Sequence, residues 1–176
     1  MIENIPNEEM LETHPEYDHE HASELYDTLW NYVSEAKVVD LKKMRSDLIT
    51  WRRGSAQMAL KINPLLNNIS IYSVLLSNIT PTEELYLHLL AYNNLQRREC
   101  LGLLHKENRW FVILKYTMEL EIVDSDALLR HAYHLQEVAD KLDTELAEQF
   151  GGQLHFEDWD RMEQGEVDNL LNDLFG

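Results

Sequence analysis

One stretch of the sequence, residues 109–118, carries apolar side chains at seven of its ten positions. Alternate residues of a strand point to opposite faces of a sheet, so the two faces can be read separately. The first face takes Trp110, Val112, Leu114 and Tyr116, and the second takes Phe111, Ile113 and Lys115. Both faces are apolar at the centre. This predicts an interior strand, or a strand whose second face is covered by another part of the structure.

Four more strands are predicted around this one. Residues 97–105 form its hairpin partner across a turn at Glu107-Asn108, and Arg53-Gly54-Ser55 marks a second turn. Alternating or β-branched runs place three further strands at residues 47–53, 56–63 and 68–77. The five strands therefore fall into a group of three and a hairpin.

Three amphipathic helices are predicted before, between and after these strands in the sequence, at about 19–36, 81–94 and 125–150. The second helix follows Thr80-Pro81-Thr82-Glu83, in which Thr80 is the expected cap and Glu83 completes a capping box. The predicted element order is therefore α-βββ-α-ββ-α.

The third helix is the longest element of the chain. Asp124 or Ser125 is its expected cap, and Gly151-Gly152 ends it. A heptad-like seam runs along it, made of Leu128, Ala132, Leu135, Ala139, Leu142 and Leu146. We interpret this seam as the face that packs on the sheet rather than as a coiled coil.

The formal net charge of −17 is concentrated at the two ends of the chain. Residues 1–24 hold eight acidic residues and no Lys or Arg, and residues 153–176 hold seven acidic residues and one Arg. Acidic ends repel phosphate groups, so we expect the protein to bind neither a nucleic acid nor a membrane surface. They suit a basic partner or serve solubility alone, and both interpretations stay open.

The sequence divides into an acidic, irregular arm at 1–18, a single α+β domain at 19–152 and an acidic tail at 153–176. The tail carries an apolar stripe at helical spacing, made of Val167, Leu170, Leu171, Leu174 and Phe175. A helix this short is marginal alone in water, so it must dock on its own domain or on a partner. Leu171, Leu174 and Phe175 are therefore the candidate partner-binding residues.

Motifs for chemistry are missing from the sequence. It contains no Gly-x-Ser-x-Gly elbow and no phosphate-binding glycine loop. Cys100 lies in an apolar strand pattern and is expected to be a small core residue. His131 and His134, or the histidines within residues 14–21, could ligate a metal, but a solvated surface is the favoured interpretation. We therefore predict no catalytic residue, no metal site and no cofactor.

Two arginine pairs, Arg52-Arg53 and Arg97-Arg98, flank predicted strands close to Trp51 and Trp110. Arginine beside an aromatic ring can bind single-stranded nucleic acid, but the overall charge opposes this. We expect these arginines to contact the acidic ends of the same chain or of a dimer mate.

The sequence of residues 46–150 resembles the YbjN family, whose fold is related to the type III secretion chaperones. The resemblance is carried by the element order, by Ser70-Ile71-Tyr72-Ser73, by residues 84–93 (ELYLHLLAYN) and by Ala139-Asp140-Lys141-Leu142-Asp143. It implies a mostly antiparallel sheet, here five-stranded, with helices packed on one face, frequently as a dimer. It implies no catalytic residues.

The sequence thus favours a non-enzymatic protein-binding module, a chaperone-like protein or regulatory adaptor with an unidentified protein partner and a homodimeric state. A small-molecule-binding domain or an enzyme of unrecognised type is the alternative. The single cysteine and the absence of an apolar span or leader pattern lead us to expect a cytoplasmic protein.

Overall fold

The computed structural model describes residues 19–35, 39–45, 47–54, 56–63, 66–95, 98–106 and 108–154. The helices in these ranges are α1 (His19–Glu35), α2 (Glu83–Asn93) and α3 (Ser125–Phe150). The strands are β1 (Val39–Arg45), β2 (Leu48–Arg53), β3 (Ala56–Asn63), β4 (Asn68–Ser77), β5 (Cys100–Lys106), β6 (Arg109–Glu119) and β7 (Gln153–Leu154).

All of these strands join one sheet, in the order β1-β2-β3-β4-β6-β5, with β7 paired to the end of β4. Every pairing is antiparallel. The α+β class, the antiparallel sheet and the five predicted strands are confirmed. The predicted number of strands was wrong, because the described part of the sheet has seven.

The two strands that sequence patterns missed, β1 and β7, lack the signals of a strand. In β1, Lys42 and Lys43 interrupt the alternation, and the pairing with β2 shifts register on either side of them. In β7, Gln153 and Leu154 form a strand of only two residues directly after the glycines that end α3. Pairing with a neighbouring strand, β2 for β1 and the end of β4 for β7, makes both segments extended, rather than a local pattern.

The three helices pack on one face of the sheet. α3 lies across β3, β4 and β6, α1 packs against α3, and α2 contacts β5. The seam of α3 is buried in the shared core as predicted, at Leu128, Ala132, Leu135, Ala139 and Leu146, with Leu142 partly buried beside them. No helix in the described ranges is long and apolar enough to cross a membrane.

The helix caps agree with the sequence for α3 and differ for α2. Asp124 caps α3, since the N–H of Ala127 donates to its Oδ1 at 2.6 Å. The cap of α2 is Thr82 and not Thr80, because the N–H of Leu85 donates to the hydroxyl of Thr82 at 3.2 Å. A cap must reach the backbone N–H three residues ahead, and only the first residue before the helical turn does so.

Candidate functional site

The sheet has a second face, opposite the three helices, which we call the outer face. Cross-strand pairing aligns its side chains in rows that cross the central strands. One row joins Thr50, Ala59, Tyr72, Lys115 and Cys100. The next joins Arg52, Gln57, Val74, Ile113 and Gly102. Leu48 lies in a further row on one side of these two, and Phe111 and Leu104 lie in a further row on the other side. An apolar band of Leu48, Ala59, Val74 and Phe111 therefore runs diagonally through the centre of the outer face, across β2, β3, β4 and β6.

The apolar centre of the outer face is buried. Leu48 and Phe111 are 0% exposed and Val74 is 1% exposed, yet none of them belongs to the core beneath the helices. A leucine or phenylalanine on an uncovered sheet would keep part of its surface in water. The apolar residues of the outer face therefore form a second buried cluster, and α1, α2 and α3 all lie on the opposite side of the sheet.

Two buried polar groups on the outer face have no hydrogen-bond partner among the described residues. They are the hydroxyl of Thr50 and the carbonyl Oε1 of Gln57. The Nε2 of Gln57 donates to the backbone oxygen of Met58 at 3.3 Å, whereas its Oε1 accepts from no donor among the described residues. Buried acceptors without a donor are unfavourable, and a backbone N–H of a bound chain would satisfy them.

Cations lie on both sides of the apolar band. Six partly buried Lys and Arg side chains stand at outer-face positions: Lys42, Arg52, Lys61, Lys106, Arg109 and Lys115. Among the described side chains on this face, Glu119 is the one carboxylate. Two of the cations lie over aromatic rings, with Lys115 Nζ 5.2 Å from the centroid of Tyr72 and Arg109 Cζ 5.5 Å from that of Phe111. The surface is thus suited to an apolar ligand with negative charges.

The edge of the sheet at β5 is partly closed. The N–H of Leu101 donates to Asn93 Oδ1 at 2.8 Å, and Asn93 Nδ2 donates to the oxygen of Leu101 at 2.9 Å. Alternation along an antiparallel strand turns the backbone groups of Leu103 and His105 toward the same edge. Within the described ranges no backbone group bonds to them. Asn93 therefore covers one end of an otherwise open edge.

The outer surface of α2 is apolar. Tyr86, Leu87 and Leu90 are 45%, 59% and 59% exposed, and Leu95 follows just beyond the helix at 64%. Leu85, Leu89 and Tyr92 on its inner side are buried in the core. Grouped exposed apolar residues of this kind are typical of a protein–protein contact.

The histidines take structural positions. His131 stacks against Tyr116 with ring centroids 4.5 Å apart, and burial lowers its pKa, with Arg98, Arg130 and His134 adding to the effect. Nε2 of His21 lies 3.0 Å from the backbone oxygens of Leu120 and Val123, and this contact connects α1 to the loop before α3.

His21 Nε2 donates one hydrogen bond that the backbone oxygens of Leu120 and Val123 share. Nε2 of His134 lies 3.8 Å from the carboxylate of Glu99. Among the described residues, no group of three or more His, Cys, Asp or Glu side chains could hold a metal ion. His14 lies outside the described residues.

The prediction that Cys100 is a core residue was wrong, because Cys100 is exposed. It opens β5, the last strand of the sheet, where no further strand shields it. Of the predicted arginine surface, Arg52 lies on the outer face and Arg98 is exposed beside β5. Leu171, Leu174 and Phe175 lie outside the described residues.

Sequence patterns did not reveal the cations of the outer face. They are spread over five strands, and Lys42 lies in β1, which was not predicted at all. The one available signal was Lys115, a charge on the otherwise apolar second face of the strand at 109–118.

A single antiparallel sheet with helices on one face and a buried, cation-rimmed surface on the other defines a binding domain. Residues 32–158, well over half of the chain, match the family described as "T3SS (YopN, CesT) and YbjN peptide-binding chaperone 1". The chain belongs to this family of peptide-binding chaperones, which confirms the resemblance seen in the sequence.

Among solved structures, a chain in "Crystal Structure of the ExsC-ExsE Complex" is similar, with a TM-score of 0.47 and 12% identity. The likeness covers 67% of this chain and 95% of that one. No curated protein matches the chain in sequence.

Proposed function

We propose that this protein is a chaperone that binds a peptide segment of a client protein on the outer face of its sheet. The observation that carries the proposal is the composition of that face: a buried apolar band that includes Leu48, Val74 and Phe111, with six cations at positions beside it. Membership of a peptide-binding family supports a binding role rather than catalysis.

The chemistry of the surface specifies the client segment. Its apolar residues would displace water from the centre, and its carboxylates would pair with cations such as Lys61 and Lys115. Its backbone N–H groups would donate to Gln57 Oε1 and to the hydroxyl of Thr50, which have no partner among the described residues. An acidic, amphipathic peptide satisfies all three requirements.

We further propose that the protein is a homodimer in the cytoplasm. The exposed apolar surface of α2, centred on Leu87 and Leu90, supports a contact with a second copy. The single cysteine is compatible with a reducing compartment. Leu171, Leu174 and Phe175 remain the candidate partner-binding residues of the tail, because they too combine apolar side chains with acidic neighbours.

Fluorescence anisotropy with synthetic peptides tests the binding proposal. We expect the full chain to bind a labelled 20-residue amphipathic peptide with an acidic polar face, and to bind a version with Lys in place of every acid much more weakly. Added salt should weaken the complex, since part of the attraction is between exposed charges.

The variant Lys61→Glu/Lys115→Glu should lose most of this binding. Lys141→Glu is the matched control, because Lys141 is an exposed cation on α3, on the other side of the sheet. Equal binding of the acidic peptide by both variants, or no preference for it over the basic peptide, would overturn the proposal.

A further inference from the structure

We propose that the C-terminal segment, residues 155–176, lies on the outer face of its own sheet and occupies the client surface until a client displaces it. Its position there is independent of the proposed function, whereas its role as a competitor rests on that function. Four observations carry the inference: burial, reach, charge and the apolar stripe.

The first observation is that the apolar band of the outer face is covered. Phe111 and Leu48 are 0% exposed, and α1, α2 and α3 all pack on the other side of the sheet. A phenylalanine ring loses all contact with water only when another layer lies over it. Since the described helices do not supply that layer, a further segment must.

The second observation is the place where the described chain ends. Leu154 pairs with Leu76 at the end of β4, in the middle of the sheet. The 12 residues from 155 to 166 could span up to about 40 Å when extended, at about 3.3 Å per residue. β4, with its 10 residues, is about 33 Å long. The apolar stripe that follows can therefore reach any part of the outer face.

The third observation is charge complementarity. Residues 153–176 contain seven acidic residues and one Arg. The outer face presents six partly buried cations and one carboxylate among its described side chains. Opposite charges at a partly buried surface attract with less screening than they do in open water.

The fourth observation selects the tail over the equally acidic N-terminal arm. The stripe of Val167, Leu170, Leu171, Leu174 and Phe175 offers a helix face to cover an apolar centre. The arm at 1–18 has no such stripe. It also leads into α1, which His21 fastens to Leu120 and Val123 on the helix side of the sheet.

Cys100 provides a direct test, because it is the sole cysteine and is exposed at the edge of the outer face. Three strand spacings separate it from Ala59, which is about 14 Å at about 4.8 Å per strand. A nitroxide attached to Cys100 of the full-length chain should broaden the amide NMR signals of residues 167–175. Broadening of residues 1–18 in place of the tail, or no broadening of the tail, would overturn the proposal.

Matched variants separate apolar docking from charge. Leu171→Asp/Leu174→Asp should abolish the broadening, whereas Asn169→Asp/Asn172→Asp adds the same two charges to the polar side of the stripe and should preserve it. Equal loss in both would contradict docking through the stripe.

A mixture of isotope-labelled Cys100→Ser chain with unlabelled, nitroxide-bearing chain shows whether the tail on the outer face belongs to the same chain or to a second copy. Broadening in the mixture as strong as within one chain would assign the occupant to a second copy and overturn the proposal.

Peptide binding tests the competition separately. If the tail covers the face nine-tenths of the time, Leu171→Asp/Leu174→Asp should bind the acidic peptide about tenfold more tightly than the native chain. If the tail signals broaden in the native chain but Leu171→Asp/Leu174→Asp binds no peptide, the proposed function fails while the tail position stands. Peptide binding that is unchanged by the variant would remove the competitive role.

Discussion

The side-chain amide of Asn93 pairs with both backbone hydrogen-bonding groups of Leu101. The two bonds are 2.8 and 2.9 Å long, one accepted by Oδ1 and one donated by Nδ2. Asn93 is the last residue of α2, and Leu101 is the second residue of β5, the outermost strand. One side chain thus fastens a helix to the sheet edge and occupies the place where a further strand would pair.

Replacing this amide should destabilise the fold. We expect Asn93→Ala to lower the free energy of unfolding by about 1–3 kcal/mol, because two hydrogen bonds are lost and Leu101 keeps unpaired backbone groups. Urea unfolding followed by circular dichroism measures the change. Asn94→Ala is the control at an exposed neighbour whose backbone, rather than side chain, caps the helix. Equal losses in the two variants would contradict a specific role for Asn93.

Truncation of Phe111 distinguishes a covered outer face from a solvated one. We expect Phe111→Ala to lower the free energy of unfolding by about 3–5 kcal/mol, the usual cost of removing a buried aromatic ring. Leu87→Ala, at a side chain 59% exposed, should change it by about 0.5 kcal/mol or less. A small loss in Phe111→Ala, by chemical denaturation, would mean that the outer face is solvated.

The apolar surface of α2 should control self-association. Leu87→Glu/Leu90→Glu places two charges in the proposed contact, so we expect the chain to sediment as a monomer where the native chain sediments as a dimer. Leu66→Glu is the control, since Leu66 is an equally exposed leucine far from α2 in sequence. A native chain that sediments as a monomer at all concentrations would contradict the homodimer, as would a dimer in the α2 variant.

His131 should make the stability of the protein depend on pH. Burial lowers the pKa of His131 in the folded chain, with Arg98, Arg130 and His134 adding to the effect, so the unfolded chain binds a proton more readily. The free energy of unfolding should therefore fall as the pH drops through about 6.5, the usual histidine pKa, toward the lowered folded value. His131→Phe keeps a ring against Tyr116 and removes the proton, so it should flatten this slope in urea unfolding between pH 7.5 and 5. A slope unchanged in that variant would exclude His131 as its source.

Sequence patterns predicted most elements because their signals are local. Alternation marked the strands, and the seam of α3 and its cap at Asp124 were visible in the order of residues. The cap of α2 was misplaced from Thr82 to Thr80, because both threonines lie near Pro81 and helix geometry alone separates them. Cys100 was misjudged for a related reason: an apolar strand pattern does not say whether the strand is at the edge of the sheet.

The candidate surface was predictable in part only. The apolar second face of residues 109–118 already indicated an interior strand or a covered one, and the acidic tail with its apolar stripe was evident in the sequence. The cations of the outer face were not. Lys42, Lys61 and Lys115 are far apart in the chain. The successive pairing of β1, β2, β3, β4 and β6 brings them to one side of the sheet.

The sequence by itself determined the helix and strand types, the acidic ends and the apolar character of both faces of residues 109–118, since these follow from periodicity and charge along the chain. The tertiary structure alone decided which strand is at the edge, how β1 and β7 join the sheet, and that six separate cations lie on the same face as Leu48, Val74 and Phe111. These features depend on cross-strand register, which is set by packing between residues distant in the chain and leaves no local pattern in it.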